Sequence, residues 1–324
     1  TLVASLAARH APAPPRAYTI AFPGQDRYDY ARSRIVVSDD TPFARRAAER
    51  LGLPQHWVRV PTASIEQALP EIARIDDAVP AWEQQLAQHH LSRAAAAHDK
   101  AVLVGDAADE THYGYHFLLD PEATRSPLHL LRRFPSAPCH PDWGADVQAR
   151  FARGYAELQR AAGYEGDDPR TRTLATAWLV LHRWLPRLLH DGDVHTMAFS
   201  LEARVPFADN ALVDLALRVD PRRAFTPGRD KALLRDAVAG LLPEEIRTRR
   251  KSALPKDQRT ARAYQTLVRR CLHEDPALLR ALCHEPALRA LLDPRRLLDE
   301  GERAVLFRVA AVAHWARAYD VAPP

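Results

Sequence analysis

Strands and helices alternate in the first third of the chain, and this alternation is the feature that most limits its fold. Three short β-rich runs, "AYTIAF" at 17–22, "HWVRV" at 56–60 and "AVLVGD" at 101–106, are separated by segments whose apolar residues recur at helical spacing. Strands that alternate with helices predict βαβ units and a parallel sheet. We therefore expect an α/β fold in which helices flank a parallel sheet.

Helical patterns fill the gaps between these strands and dominate the rest of the chain. In "TPFARRAAERLGL", Thr41 is the predicted N-cap, Pro42 opens the helix and Gly52 ends it. Strand signals fade after residue 121, where the segments "RTLATAWLVLHRWLPRLLH" and "AVLFRVAAVAHWARAY" are typical of helices. We divide the chain into an α/β core at 1–121, whose first strand we expect upstream, and a mainly helical part at 122–324.

Charge, cysteine content and hydropathy exclude several classes of protein. The 45 Lys and Arg and 41 Asp and Glu give a formal charge of +4, and the arginines are scattered, which argues against a nucleic-acid-binding tail. Three cysteines without a CxxC pair predict neither a disulfide framework nor a zinc site. No apolar run approaches the ~20 residues that cross a bilayer, and no signal peptide is evident. We expect a cytoplasmic protein without nucleic-acid or membrane partners.

Three carboxylates follow the third predicted strand, in the stretch "GDAADE". Ligands bind beyond the carboxyl ends of strands in open parallel sheets. Gly105 would let a ligand approach the backbone, and carboxylates three residues apart, such as Asp106 and Asp109, can hold Mg²⁺ together with phosphate and water. The same residues also fit a helix N-terminus whose acidic first turn, Asp109 and Glu110, favours the helix dipole.

Two later segments carry further candidate residues. In "SLEARVPFAD", Glu202 and Arg204 are expected to form a buried structural ion pair. In "GRDKALLRDAVAGLLPEEIRTRRKSALP", Lys231 stands at a predicted helix start and Lys251 follows two arginines in a loop. A basic cluster of this kind can be a solvated face or a clamp for an anion.

These segments, in this order, resemble the synthetase domain of the asparagine synthetase family, whose relatives include β-lactam synthetases and lasso peptide cyclases. The family motif Ser-Gly-Glu-Gly-Ala-Asp-Glu, followed by Gly-Gly-Tyr, stands here as "VGDAADETHYGY". The motif Ser-Leu-Glu-Val-Arg-Val-Pro-Phe-Leu-Asp stands as "SLEARVPFAD", and the later lysine motifs stand as "KALLR" and "RRKSALP". The resemblance covers residues 1–258.

The resemblance implies an ATP pyrophosphatase fold of the adenine nucleotide alpha hydrolase type, with ATP and Mg²⁺ as cofactors. Such enzymes activate a carboxylate as its acyl-adenylate, release pyrophosphate and let an amine attack the carbonyl. Carried over, Gly105 would lie against the nucleotide and Lys231 would bind it, while Asp109 would be the Mg²⁺ ligand. Lys251 matches the lysine that neutralises charge on the pyrophosphate and on the tetrahedral oxyanion.

Asp106 takes the place of a family glutamate suspected of acting as base on the incoming amine, and Glu110 stands close by as a second catalytic carboxylate. Two neighbouring carboxylates can raise the pKa of one of them, as a base that works near neutrality requires. Asp106 is one methylene shorter than the glutamate, so its reach and its substrate can differ. Where the family carries basic residues, at 192 and 194, this chain has Gly and Val; either a phosphate contact is lost or His190 and His195 replace it.

The family's nucleotide loop, Ser-Gly-Gly-x-Asp-Ser, and its glutaminase domain are both expected upstream of Thr1. Our first hypothesis is a ligase that amidates aspartate or a similar small carboxylate with nitrogen from ammonia or glutamine, supplied by a glutaminase domain or subunit. A second hypothesis is a ring-forming or amide-forming synthetase that uses an amine of its own substrate. A third is an inactive synthetase-like scaffold. A homodimer is compatible with each of the three.

Overall fold

The computed structural model describes residues 1–22, 24–32, 36–61, 64–125, 141–224, 229–252 and 260–322. Its longer helices are α1 Leu2–His10, α2 Thr41–Leu51, α3 Ser64–Asp76, α4 Gln84–Ala96, α7 Pro141–Ala162, α8 Pro169–Leu179, α9 Leu185–Met197, α10 Asn210–Arg218, α14 Thr260–Glu274 and α17 Glu300–Ala318. Its shorter helices are α5 Ala108–Thr111, α6 Pro121–Arg125, α11 Pro221–Ala224, α12 Ala232–Ala237, α13 Glu244–Arg247, α15 Pro276–Leu282 and α16 Glu285–Leu291. The described chain is thus mostly helical.

The strands form two parallel pairs. Strands β1 (Ala17–Ala21) and β2 (Gln55–Arg59) pair with Ala17 opposite Gln55, and β3 (Ala101–Leu103) pairs with β4 (Glu202–Arg204). Helix α2 connects β1 to β2, which is a βαβ unit. The predicted parallel pairing is confirmed, while the described residues form two small sheets rather than one continuous sheet.

Strand β4 was not predicted, and its charged residues are more exposed than we expected from the sequence. Glu202 and Arg204 lie on the same exposed side of this strand, with Arg204 Nε 3.7 Å from Glu202 Oε1, so the expected ion pair forms but the prediction that it is buried is wrong. Strand β3 is also shorter and less buried than its apolar sequence suggests, because Leu103 keeps 50% of its surface exposed. A two-stranded sheet covers less of each strand than the interior of a wide sheet would.

Helix α2 shows how local chemistry sets its ends. Asp40 occupies the N-cap position and Thr41 is the first helical residue, one residue earlier than predicted. Asp39 accepts a hydrogen bond from the Thr41 backbone nitrogen at 2.8 Å, which satisfies a donor of the first turn. Gly52 ends the helix with a φ of 63°, the left-handed conformation that glycine adopts without strain.

The largest apolar core joins α3 to the C-terminal helices. Leu69 and Ile72 of α3 are buried in one cluster with Tyr264 of α14 and with Leu306 and Phe307 of α17. Complete burial of such side chains stabilises a fold by about 1.5–3 kcal/mol each. Cys271 and Cys283 are buried in the same cluster as free thiols, and Cys139 lies outside the described residues.

A second cluster packs around the turn that follows the acidic stretch. It contains Phe117 and Leu118 together with Ala175 of α8 and Val180. Between α8 and α9 the helix widens into a π-helical segment, Val180–Trp184, a form that is rare and is found most often near functional sites. Among the described helices, none is both long and apolar enough to cross a membrane.

Candidate active site

The acidic stretch forms a tight turn directly after β3. Val104 extends the pairing with β4 through its backbone nitrogen, which donates to the Arg204 carbonyl oxygen at 2.9 Å. Ala107 then takes a left-handed φ of 68° and is buried in a cluster with Leu185 and Phe207. A non-glycine residue in this conformation carries strain, which the surrounding packing must hold. The turn therefore presents the first residues of α5 in a fixed orientation beyond the strand end.

Gly114 allows the chain to fold back over this turn. Its backbone nitrogen donates to the Asp109 carbonyl oxygen at 2.7 Å. A Cβ atom at position 114 would lie 1.9 Å from Asp109 Oδ1 and 2.7 Å from Asp109 Cα, so a larger residue cannot fit here. The close approach required at "YGY" thus explains the glycine.

Asp109 is the centre of the charged site. Lys231 donates from Nζ to Asp109 Oδ1 at 2.6 Å, and Lys251 donates from Nζ to Asp109 Oδ2. Burial pushes the pKa of Asp109 upward, but the two ammonium groups outweigh it and hold that pKa below its usual value. Lys231 lies 122 residues and Lys251 lies 142 residues from Asp109 in sequence, yet both ammonium groups bind its carboxylate.

The loop that carries Lys251 is fixed by its neighbours on both sides. Arg249 donates to Ser38 Oγ at 2.7 Å and also to Asp40, and its guanidinium lies 4.3 Å from the centre of the Phe43 ring. Ser252 Oγ donates to the Ser38 carbonyl oxygen at 3.1 Å. The basic cluster was expected to be either a solvated face or a clamp for an anion. Arg249 has neither role, because it anchors the Lys251 loop to the segment before α2.

Glu110 and Tyr115 extend the site on one side. Glu110 is buried, and Tyr115 donates from its hydroxyl to Glu110 Oε1. Burial raises the pKa of Glu110, while the tyrosine hydrogen bond partly opposes this. Lys251 Nζ lies 4.6 Å from the centre of the Tyr115 ring, a cation–π contact. Tyr115 therefore links the second carboxylate to the lysine.

Asp106 reaches the surface at the start of the turn, and no hydrogen-bond partner of its carboxylate is found in the part of the chain that the structure describes. The surrounding protein still removes enough water to raise its pKa, and repulsion from Asp109 adds to the effect. Gly105 is exposed, and a Cβ atom built on it would meet no described atom within 4 Å. The space over Gly105 is thus open to a ligand.

The structure brings Asp109, Glu110, Lys231 and Lys251 into one connected group, with Gly105 and Asp106 at its exposed edge. It does not favour the histidines as replacement phosphate contacts. His195 is fully buried, and His190 Nδ1 lies 3.7 Å from Asp191 Oδ1, a carboxylate that would repel phosphate.

Sequence reasoning gave no role to three residues of this group. Tyr115 entered only as the last residue of the stretch "VGDAADETHYGY", yet it contacts both Glu110 and Lys251. Arg249 and Ser252 anchor the lysine loop, and only their closeness to Lys251 in sequence could have indicated this.

Comparison with known proteins shows the family of this chain. The family model described as asparagine synthase matches residues 1–317. The chain is 27% identical over 256 residues to glutamine-hydrolyzing asparagine synthetase 3 of Bacillus subtilis strain 168, an alignment covering 75% of this chain and 40% of that protein. It is 38% identical over 76 residues to glutamine-hydrolyzing asparagine synthetase 1 of the same strain, covering 23% of this chain and 12% of that protein.

The chain therefore spans about two fifths of the length of the first of these relatives, and a shorter stretch of the second. The family match, in contrast, extends over nearly the whole chain and includes every residue of the charged site. The chain belongs to the asparagine synthase family.

Proposed function

We propose that this chain supplies the synthetase part of an ATP-dependent ligase, which converts a carboxylate to its acyl-adenylate and then to an amide, releasing pyrophosphate and AMP. The observation that carries the proposal is the convergence of Lys231 and Lys251 on Asp109 beyond the end of β3. That is the edge of a parallel sheet at which ligands bind. The ATP pyrophosphatase fold is part of the same proposal.

Charge balance supports a phosphate ligand at this place. Lys231 and Lys251 bring two positive charges against the single negative charge of Asp109. This local surplus at Asp109 favours an anion at the two ammonium groups, which are only partly exposed and are therefore screened less by water than at an open surface. The carboxyl groups of Asp106 and Glu110 lie beside them, and the raised pKa of each limits how far it offsets this surplus. When pyrophosphate leaves and the tetrahedral oxyanion forms, Lys251 would stabilise the charge that develops, as preorganised cations do.

The two carboxylates with raised pKa values fit the second half of the reaction. The attacking amine must lose a proton after its nitrogen bonds to the carbonyl carbon, and Asp106 stands at the exposed edge of the site where such a proton could be accepted. Glu110, held by Tyr115, would keep a second carboxylate in a fixed position beside it. We assign Asp106 as the base and Glu110 as its supporting catalytic carboxylate.

Mg²⁺ fits Asp109 under one condition. Each oxygen of this carboxylate accepts one hydrogen bond from a lysine ammonium group and keeps a free lone pair, so the condition is that the triphosphate of ATP offsets the two positive charges that would repel the ion. Asp106 offers a carboxylate that is not part of these two lysine pairs. When bound, Mg²⁺ supplies charge neutralisation at the phosphate oxygens. Lys231 and Gly105 would bind the nucleotide itself.

Substrate and nitrogen donor extend the proposal. The two Bacillus subtilis relatives are named as glutamine-hydrolyzing asparagine synthetases, so aspartate is our first candidate carboxylate, and ammonia released from glutamine by a glutaminase domain or subunit is our first candidate donor. A cytoplasmic location, a homodimer and the absence of nucleic-acid and membrane partners remain part of the same proposal.

ATP–pyrophosphate exchange in the presence of candidate acids tests this function on the natural full-length protein. We expect exchange with the correct acid, and we expect Asp109→Asn to abolish it, because the neutral amide no longer orders the two lysines. Asp214→Asn is the matched control, since Asp214 is exposed on α10 and pairs with Arg218 one turn away. Exchange that survives in Asp109→Asn would remove this residue from the site, and the absence of exchange with every acid would favour the inactive scaffold.

A further inference from the structure

A buried polar centre lies where α3, α4 and α9 meet, outside the charged site described above. Asp76 ends α3 and is 2% exposed, and Asp191 of α9 is buried against it. Gln85 and His89 of α4 and His195 of α9 are also fully buried. Protein interiors rarely bury this many polar side chains unless each finds a partner.

Three of the side chains at this centre present ligand atoms at metal-binding distances. One oxygen or nitrogen atom each from Asp76, His190 and Asp191 lie within 4.8 Å of one another. His190 Nδ1 is 4.0 Å from Asp76 Oδ1 and 3.7 Å from Asp191 Oδ1. Ligands on a tetrahedral ion with ~2.1 Å bonds stand about 3.4 Å apart. His190 Nδ1 therefore needs to move by only about half an ångström toward each carboxylate, while the two carboxylate oxygens lie within 4.8 Å of each other.

Unpartnered atoms in the same centre point independently to a missing ligand. Asp76 Oδ1 and both ring nitrogens of His195 are buried without a hydrogen-bond partner among the described residues. His195 is 0% exposed and follows Asp191 by one helical turn on the same face of α9. A buried polar atom without a partner destabilises the fold by about 1–3 kcal/mol, so a bound ion would remove a cost that the protein otherwise carries.

The carboxyl groups at this centre outnumber the cationic side chains, which favours the binding of a cation. Arg187 donates from Nη2 to Asp76 Oδ2 at 2.5 Å, its Nε lies 2.8 Å from Asp191 Oδ1, and Gln85 Nε2 donates to the same Asp191 oxygen at 3.5 Å, so one cationic group faces two carboxyl groups. The side chain of Arg187 is 31% exposed and that of His190 is 48% exposed. An ion can therefore enter from solvent past His190, and Arg187 can move outward to make way.

We propose that Asp76, His190 and Asp191 bind a divalent transition-metal ion such as Zn²⁺, Co²⁺ or Mn²⁺. Mixed imidazole and carboxylate ligands suit these ions better than Mg²⁺, which prefers oxygen ligands alone. The ion joins the end of α3 to the middle of α9. It is independent of the ATP site, and the proposal does not depend on the ligase reaction.

Titration with Co²⁺ of the metal-depleted, ATP-free protein, followed by visible absorption, tests this site. We expect one tightly bound equivalent that Zn²⁺ displaces and excess Mg²⁺ does not. His190→Ala and Asp76→Asn should each weaken binding by at least ~10-fold, the loss expected when a metal site is impaired. His190 is half exposed, so its variant should fold normally even where Asp76→Asn does not.

Two controls make the result specific. Asp193→Asn changes an exposed carboxylate on the same helix, and Asp109→Asn changes the charged site; both should bind Co²⁺ as the wild type does. Zn²⁺ should also raise the unfolding temperature of the wild type and not that of His190→Ala, because a ligand stabilises only the state that binds it. The proposal is overturned by the absence of Co²⁺ binding, by binding that His190→Ala leaves unchanged, or by binding that only Asp109→Asn removes.

Discussion

Removing the Lys251 ammonium should separate activity from stability. Lys251 and Lys231 share the carboxylate of Asp109, so Lys251→Ala leaves the 2.6 Å pair between Lys231 and Asp109 in place and also removes repulsion between two like charges. Partly exposed ion pairs contribute about 0–1 kcal/mol, and we expect the free energy of unfolding to change by no more than about 1 kcal/mol.

Turnover should respond much more strongly than stability. The ammonium is needed when pyrophosphate leaves and the oxyanion forms, and loss of such a preorganised group lowers the rate by ~10²–10³, or about 2.7–4 kcal/mol in the activation barrier. Lys251→Arg should restore little, because a planar guanidinium places its charge differently from a compact ammonium. The assay is amide product per unit time with ATP and the acid that supports exchange, alongside urea unfolding of each variant.

Lys100→Ala is the matched control, since Lys100 is an exposed lysine just before β3. Wild-type turnover in a folded Lys251→Ala protein would refute the assignment of Lys251 to the reaction and favour the inactive scaffold. A loss of several kcal/mol in unfolding free energy would instead show that the shared ion pair holds the fold.

Three further outcomes follow from the structure. Asp106→Ala should leave ATP–pyrophosphate exchange measurable while slowing amide formation by ~10²–10⁴, the usual contribution of a general base, and full amide output would rule out that role. Leu306→Ala should lower the free energy of unfolding by about 2.7–5 kcal/mol, because Leu306 is fully buried in the main core, whereas exposed Leu297→Ala should change it by less than about 0.5 kcal/mol in the same urea titration. Burial lowers the pKa of His314 in the folded protein, so below about pH 6.5 the unfolded chain binds more protons than the folded one, and the free energy of unfolding falls as the pH falls. His314→Gln should make the dependence of the urea midpoint on pH between about 7 and 5 shallower, and an unchanged slope would contradict this assignment.

The sequence predicts the local parts of this molecule well. The strands at 17–21 and 55–59, the end of α2 at Gly52 and the helical second half follow from patterns within a few residues of each other. The acidic turn could be placed at a strand end because apolar residues precede it directly. Strand β4 could not be predicted in the same way, since three residues with exposed charged ends carry no alternation that distinguishes a strand from a loop.

The candidate site could be predicted only in part, because its contacts are distant in sequence. Lys231 and Lys251 were connected to Asp109 through the family resemblance, and no local pattern shows that both ammonium groups bind the same carboxylate. The partnership of Arg249 with Ser38 joins segments 211 residues apart. Such pairings depend on how the helices pack, which the pattern of one segment does not contain.

The π-helical segment Val180–Trp184 fits one more residue into its turn than an α-helix would. Trp184 lies 6.2 Å from Tyr115, ring centre to ring centre, while Arg187 reaches Asp76 on another helix. Because the wider turn absorbs the extra residue, deleting one residue from this segment would return it to α-helical spacing and leave Arg187 facing Asp76. The same deletion within the regular part of α9 would rotate every later residue by about 100° and turn Asp191 away from α3. A family member one residue shorter at the π-helical segment can therefore keep the arrangement seen here, whereas one that is shorter further along α9 cannot.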